Sequence, residues 1–286
     1  MSFEPIRIGN TVIRRSSASK YEIKNEASPF LMKSISNAIN ATNTTTTTNT
    51  TTNTTTATIE AANVLTMRSY LKRNRHATEL YVALRLVHDL GKQMQALLSS
   101  GRSIAYFGVD DVVVIAHRDS DKFTHDSIND LDSTLDYNRM DPQFLFLNDH
   151  LIFELDDDGA LIMDHALPSN KTKTKTKTKT KSKSKSKSKY AFMSPELQHL
   201  SNDHNHATHA PPNATPIHAI QSVHFKTMYY SAAQLVIYFL LNVDRIPIPD
   251  NADDIAYLNP IKYTKLYWFL LRCLNPVPAE RKYIYI

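Results

Sequence analysis

The chain has 286 residues, 42% of them hydrophobic, and 33 Lys and Arg against 28 Asp and Glu give a formal charge of +5. That apolar content can bury a core in one large domain or two small ones, which excludes a wholly disordered polypeptide. The single cysteine, Cys273, excludes an intramolecular disulfide framework and a Cys-rich zinc module, and it fits a reducing compartment.

The charge is not evenly spread. Ten of the basic residues lie in one run, Lys171 to Lys189, and without it 23 basic residues face 28 acidic ones, a formal charge of −5. The isoelectric point near 9.1 therefore belongs to one tract and does not imply a general phosphate-binding surface.

At the N-terminus "MSFEPIRIGNTVIRR" has neither a signal-peptide core nor a lipidation motif, so a soluble, intracellular and cytoplasmic protein is expected. Residues 1–41 read as a short N-terminal segment in which "PIRIGNTVIRR" predicts a small hairpin around Gly9 and Asn10. "TNTTTTTNTTTNTTT", Thr42 to Thr56, is polar without a period that buries a face, which predicts a disordered linker over 42–58. Residues 59–286 then form the main domain.

From Thr78 to Ser100 the residues Ala83, Leu86, Val87, Leu90, Met94, Leu97 and Leu98 recur at helical spacing, with Gly101 as the stop. "VVVI" at Val112, "FLFL" at Phe144 and "HLIFEL" at His150 predict short strands, and "DDG" at Asp157 a hairpin turn into "ALIM". The Lys/Thr/Ser tract at about 170–189 and "SNDHNHATHAPPNATP" at about 200–216 read as solvated, disordered insertions. Helices follow from Met228 to Leu241 and from Thr264 to Leu274. The apolar run from Ala232 to Val243 is broken by Gln234 and Asn242 and is too short to span a bilayer, so no membrane partner is expected. The element order predicts an α+β fold that is mainly helical.

The stretch "YAFMSPELQHL", Tyr190 to Leu200, reads locally as a helix start, with Ser194 as cap, Pro195 at the first position and Glu196 in the first turn. Together with "YYSAAQLVIYFLLN" and "LRCLNPVPAERKYI" it resembles the C-terminal lobe of a eukaryotic-type protein kinase, over roughly residues 63 to 286. Vestigial kinase-like chains with such low-complexity tracts look like products of a large DNA virus. In that family an Ala-Pro-Glu motif ends the activation segment, and its glutamate pairs with the arginine of a Cys-Leu-x-x-x-Pro-x-x-Arg motif. The resemblance places that end at Ser194, Pro195 and Glu196 and implies a buried ion pair between Glu196 and Arg281. It also implies that the small N-terminal lobe is vestigial or missing.

Phosphoryl transfer in that family needs a glycine-rich loop, a strand lysine paired with a helix glutamate, an aspartate base and magnesium ligands. The chain has five glycines and no G-x-G-x-x-G, and no Val-Ala-x-Lys strand. "HRDSDKFT" spells the catalytic triplet at His117, Arg118 and Asp119, but it lies after the strand it should precede. Counting from Gln93 puts the catalytic loop at "AYFGVDDVVVI", where Asp111 stands for the magnesium-binding Asn and no residue stands for the base. "DDGALIMDHAL" resembles the strand-turn ending in Asp-Phe-Gly, with Asp164 as a vestigial ligand. His204, His206 and His209 would need a fourth ligand and an ordered frame to hold zinc, so no metal is expected. The expected function is that of a catalytically inactive kinase-like domain that binds protein partners, with no cofactor. The alternatives are a divergent active Ser/Thr kinase using ATP, magnesium, Asp110, Asp111 and Asp164, and a non-specific nucleic-acid binder working through the Lys tract.

Overall fold

The structure, a computed structural model, describes residues 4–39, 44–49, 54–73, 80–116, 142–163, 192–200, 223–241 and 252–283. Strands β1 (Ile6–Ile8) and β2 (Thr11–Arg15) form a hairpin, with Gly9 at φ +57° taking the left-handed position of the two-residue turn. β3 (Lys20–Asn25) pairs with β2, and helix α1 (Pro29–Ala38) follows. Ser28 caps α1 by accepting from the Leu31 N–H, and Pro29 opens it. β4 (Thr44–Asn49) and β5 (Thr54–Glu60) complete a five-stranded antiparallel sheet in the order β1-β2-β3-β5-β4. Its inner face, with Ile8, Ile13, Tyr21, Ile23, Ala57 and Ile59, is buried, as are Leu31, Met32 and Ile35 of α1.

This corrects two expectations. The described residues between 4 and 60 form a five-stranded sheet with a helix packed on it, where only a short segment with a small hairpin was expected. Part of the Thr/Asn tract is strand: Thr44 to Asn49 pairs with Thr54 to Ile59, and residues 55–60 pair with β3. The physical reason is that threonine, being β-branched, favours extended backbone. The alternation that fixes the register appears only at Ala57 and Ile59, and β3, about thirty residues upstream, supplies the edge.

A second antiparallel sheet contains β6 (Asn63–Thr66), β8 (Val112–Ala116) and β9 (Pro142–Phe146) in the order β6-β8-β9. Helix α2 (Met67–Arg73) follows β6, and α3 (Leu80–Leu98) runs beneath β9. Strand β7 (Arg102–Ile104) pairs with β10 (Ile152–Glu154), and β11 (Ala160–Leu161) with β12 (Val223–His224). Residues 195–200 are helical (α4), followed by α5 (Thr227–Leu241) and α6 (Lys265–Cys273). One apolar core runs from Ile8 to Leu274. The fold is thus not mainly helical: the described residues contain twelve strands in four antiparallel sheets. Short strands such as "RSI" and "NVLT" lack enough alternation to be read locally, and their partners lie far along the chain. The insertions expected at about 170–189 and 200–216 lie outside the described residues.

α3 positions β9 through two polar side chains. Phe144 N–H donates to the Asp89 carboxylate at 3.0 Å, and Phe146 N–H donates to Gln93 Oε1 at 2.8 Å while Gln93 Nε2 donates to the Phe146 carbonyl at 3.2 Å. One helical turn between Asp89 and Gln93 matches a two-residue step along a strand, each roughly 6 Å. The edge of β9 is thereby satisfied without another strand.

Candidate functional site

Two polar assemblies are built where distant segments meet. The first joins α4 to the C-terminal segment. Arg281 is fully buried, and its guanidinium donates from Nη1 to Glu196 Oε1 at 2.5 Å and from Nη2 to Oε2 at 3.0 Å. Nε donates to the Asn275 carbonyl at 2.8 Å, and the guanidinium lies over the Tyr230 ring, 4.9 Å from its centroid. Burial alone would raise the Glu196 pKa, but the hydrogen bonds and charge of Arg281 outweigh it and hold the carboxyl below its ordinary value. Pro195 opens α4, and the buried Ser194 hydroxyl meets that of Thr227 at the start of α5. Every guanidinium nitrogen thus has an acceptor, and the assembly is a structural joint rather than a reactive centre.

The second assembly lies between the five-stranded sheet and the turn after β9. Asn10 donates its backbone N–H to Asp149 Oδ1 at 2.9 Å and its side-chain amide to Oδ2 at 2.8 Å. Thr11 Oγ1 donates to the Leu147 carbonyl at 2.7 Å, and Asn25 Nδ2 donates to Thr11 Oγ1 at 2.8 Å. Asn148 Nδ2 donates to Asp111 Oδ1 at 2.7 Å. The β1–β2 turn is seated directly on residues 147–149. A Cβ at Gly9 would come within 2.4 Å of Asp149 Oδ1 and 2.8 Å of Asn148 Oδ1, so only glycine fits there.

The sequence marked Asn10 only as a turn residue and did not mark Asn148 or Asp149. The usable signal was the polar turn "ND" directly after the apolar strand "FLFL", one strand earlier than the turn that drew attention to Asp164. Asp164 itself lies outside the described residues, as do His117, Arg118, Asp119, His204, His206 and His209. Asp111 is brought to Asn148, whereas its neighbour Asp110 turns outward to a bidentate pair with Arg68 at 2.6 and 2.8 Å. The two aspartates therefore do not converge. Among the described residues no group of three or more His, Cys, Asp or Glu is arranged to hold a metal ion.

The lysines of β3 face away from α1. Lys20 and Lys24 are exposed while Tyr21, Ile23 and Asn25 take the inner face, and α1, "PFLMKSISNA", contains no acidic residue. On the outer face of the sheet lies an open cleft of about 530 Å³ lined by Arg7, Val12, Arg14, Glu22, Lys24 and Glu26 among others. Its cations and carboxylates are interleaved, so it presents no single sign of charge.

Comparison with protein-family models and with curated proteins finds no match for this chain. Among the described residues no helix is long and apolar enough to cross a membrane.

Proposed function

We propose that this chain is a kinase-like domain that does not transfer phosphoryl groups and acts as a cytoplasmic scaffold or regulator for a protein partner. The element order supports the kinase-like part. A five-stranded antiparallel sheet carries a helix between its third and fourth strands, a long central helix follows, and Glu196 meets Arg281 from 85 positions away. The buried, unpaired Cys273 fits a reducing compartment.

One observation carries the absence of chemistry: the β1–β2 turn, where that family cradles phosphates, is hydrogen-bonded onto Asp149 through Asn10. A nucleotide would have to displace two hydrogen bonds to a carboxylate. It would then meet no lysine on the inner face of β3 and no carboxylate on α1. At the position of the catalytic loop Ala105, Tyr106 and Phe107 are buried, and the Phe107 N–H donates to Ser231 Oγ at 2.6 Å, so no base is presented.

Thermal melting of the full chain with and without ATP and magnesium tests this reading. No shift is expected. A rise of several degrees that depends on magnesium requires a ligand that binds the native state, and it would establish nucleotide binding instead.

A further inference from the structure

Trp268 is the only tryptophan in the chain, and it is 49% exposed. On α6 it shares one face with Lys265 and Arg272, at i, i+3 and i+7, and all three are exposed. The opposite side of the helix buries Leu266, Phe269, Leu270 and Cys273. Just before the helix, Tyr263 stands 78% exposed at φ +69°, the only described residue other than glycine in the left-handed region. A bulky side chain is strained in that backbone, and here the strain holds an aromatic ring out in water. Lys262 Nζ lies 5.4 Å from the centroid of that ring, and Tyr267 meets the Trp268 indole edge-on at 5.3 Å.

Three aromatic rings and three cations thus occupy one short stretch, and the sequence from 256 to 279 contains no Asp or Glu. Lys262, Lys265 and Arg272 pair with no carboxylate among the described residues. We propose that this face of α6 and the preceding turn bind single-stranded nucleic acid, with bases stacking on Tyr263 and Trp268 and phosphates meeting Lys262, Lys265 and Arg272. Flat rings interleaved with cations, in a stretch of sequence without Asp or Glu, match a ligand that alternates π-faces with negative charge. A lipid surface fits less well, because the apolar side of α6 is already in the core and its outer side exposes no aliphatic residue to insert. An acidic peptide would use the cations and leave the rings idle. In sequence the site is also distinct from the Lys171–Lys189 tract, which has charge but no aromatic residue.

The lone tryptophan makes the test direct. The full chain is titrated with an oligothymidylate of roughly twenty nucleotides at about 50 mM salt, reading Trp268 fluorescence together with the anisotropy of labelled oligonucleotide. The expected result is saturable quenching without a blue shift. Lys265→Glu with Arg272→Glu should weaken binding by about tenfold or more, since two phosphate contacts become repulsions. Tyr263→Gly relieves the backbone strain, so its melting temperature should hold or rise while affinity falls by roughly fivefold or more. Binding seen by anisotropy without quenching, and unchanged in the charge-reversed variant, would assign it to the Lys tract and overturn the proposal. Equal quenching by polyglutamate would overturn base stacking. A blue shift with phosphatidylserine vesicles and no response to the oligonucleotide would make the face a lipid site.

Discussion

Arg281 holds Glu196 with both terminal nitrogens of its guanidinium, joining the C-terminal segment to α4 across 85 positions of chain. Arg281 is fully buried while the Glu196 side chain keeps 23% exposure, so the two single removals are unequal. Arg281→Ala should cost on the order of 3 kcal/mol. Glu196→Ala leaves a buried cation with only carbonyls for partners and should cost about 3–5 kcal/mol. The exchange Glu196→Arg with Arg281→Glu should recover part of that loss, and chemical denaturation of the four proteins measures the coupling.

Acid should weaken this joint. The folded-state pKa of Glu196 lies below its ordinary value of 4.5, so its contribution is fully present above pH 4.5 and is lost as pH falls through the lowered value. Asp89 has the opposite sign. Burial raises its pKa above 3.8, outweighing the Phe144 N–H, Arg85 and His88, so its protonation adds stability on acidification and that gain is lost as pH rises through the raised value. Asp89→Asn should therefore steepen the acid loss of stability, and Glu196→Gln should flatten it. Denaturation midpoints across pH 3 to 7, roughly the range in which carboxylates titrate, separate the two.

Gln93 satisfies both backbone groups of Phe146. Gln93→Ala strands a buried N–H and a buried C=O and should cost about 2–4 kcal/mol. Gln93→Leu should do no better despite its volume, because volume does not replace the hydrogen bonds. Amide exchange should show the loss first at Phe146.

Gly9→Ala tests the docked β1–β2 turn. The added Cβ meets Asp149 and Asn148 at a backbone of φ +57°, and the cost should be roughly 1–3 kcal/mol. Asn10→Ala should lower stability by removing the side-chain bond to Asp149 Oδ2, and Asp149→Ala should cost more, because it also removes the acceptor of the Asn10 backbone N–H; the double variant should match Asp149→Ala alone.

Cys273 is buried and its thiol pKa is pushed up by that burial, against the opposing charge of Arg281. Labelling by a thiol reagent should be roughly 10³-fold or more slower in the native protein than in denaturant, since it requires opening of α6. Glu196→Ala should speed it, because losing that joint destabilises the packing behind Cys273.

Periodic segments were legible without any structure. The spacing from Ala83 to Leu98 belongs to a long amphipathic helix, and the structure places α3 at Leu80–Leu98. "PIRIGNTVIRR" contains its own turn residue, and "VVVI" and "FLFL" contain their own β-branched or aromatic runs, so β1, β2, β8 and β9 follow from local chemistry. What periodicity could not reach was every feature whose partner lies elsewhere. Thr44 to Asn49 looks like a linker until β5 gives it a register, and β5 looks no better until β3 gives it an edge. Asp111 and Asp110 are adjacent in sequence, yet one faces Asn148 inside and the other Arg68 outside. A strand's side chains alternate and a turn's do not, so their directions depend on the surrounding packing. The docking of Asn10 on Asp149 spans 139 positions. No local pattern encodes such a contact, because it forms only when the sheet and the turn after β9 are brought together by the burial of their own apolar faces.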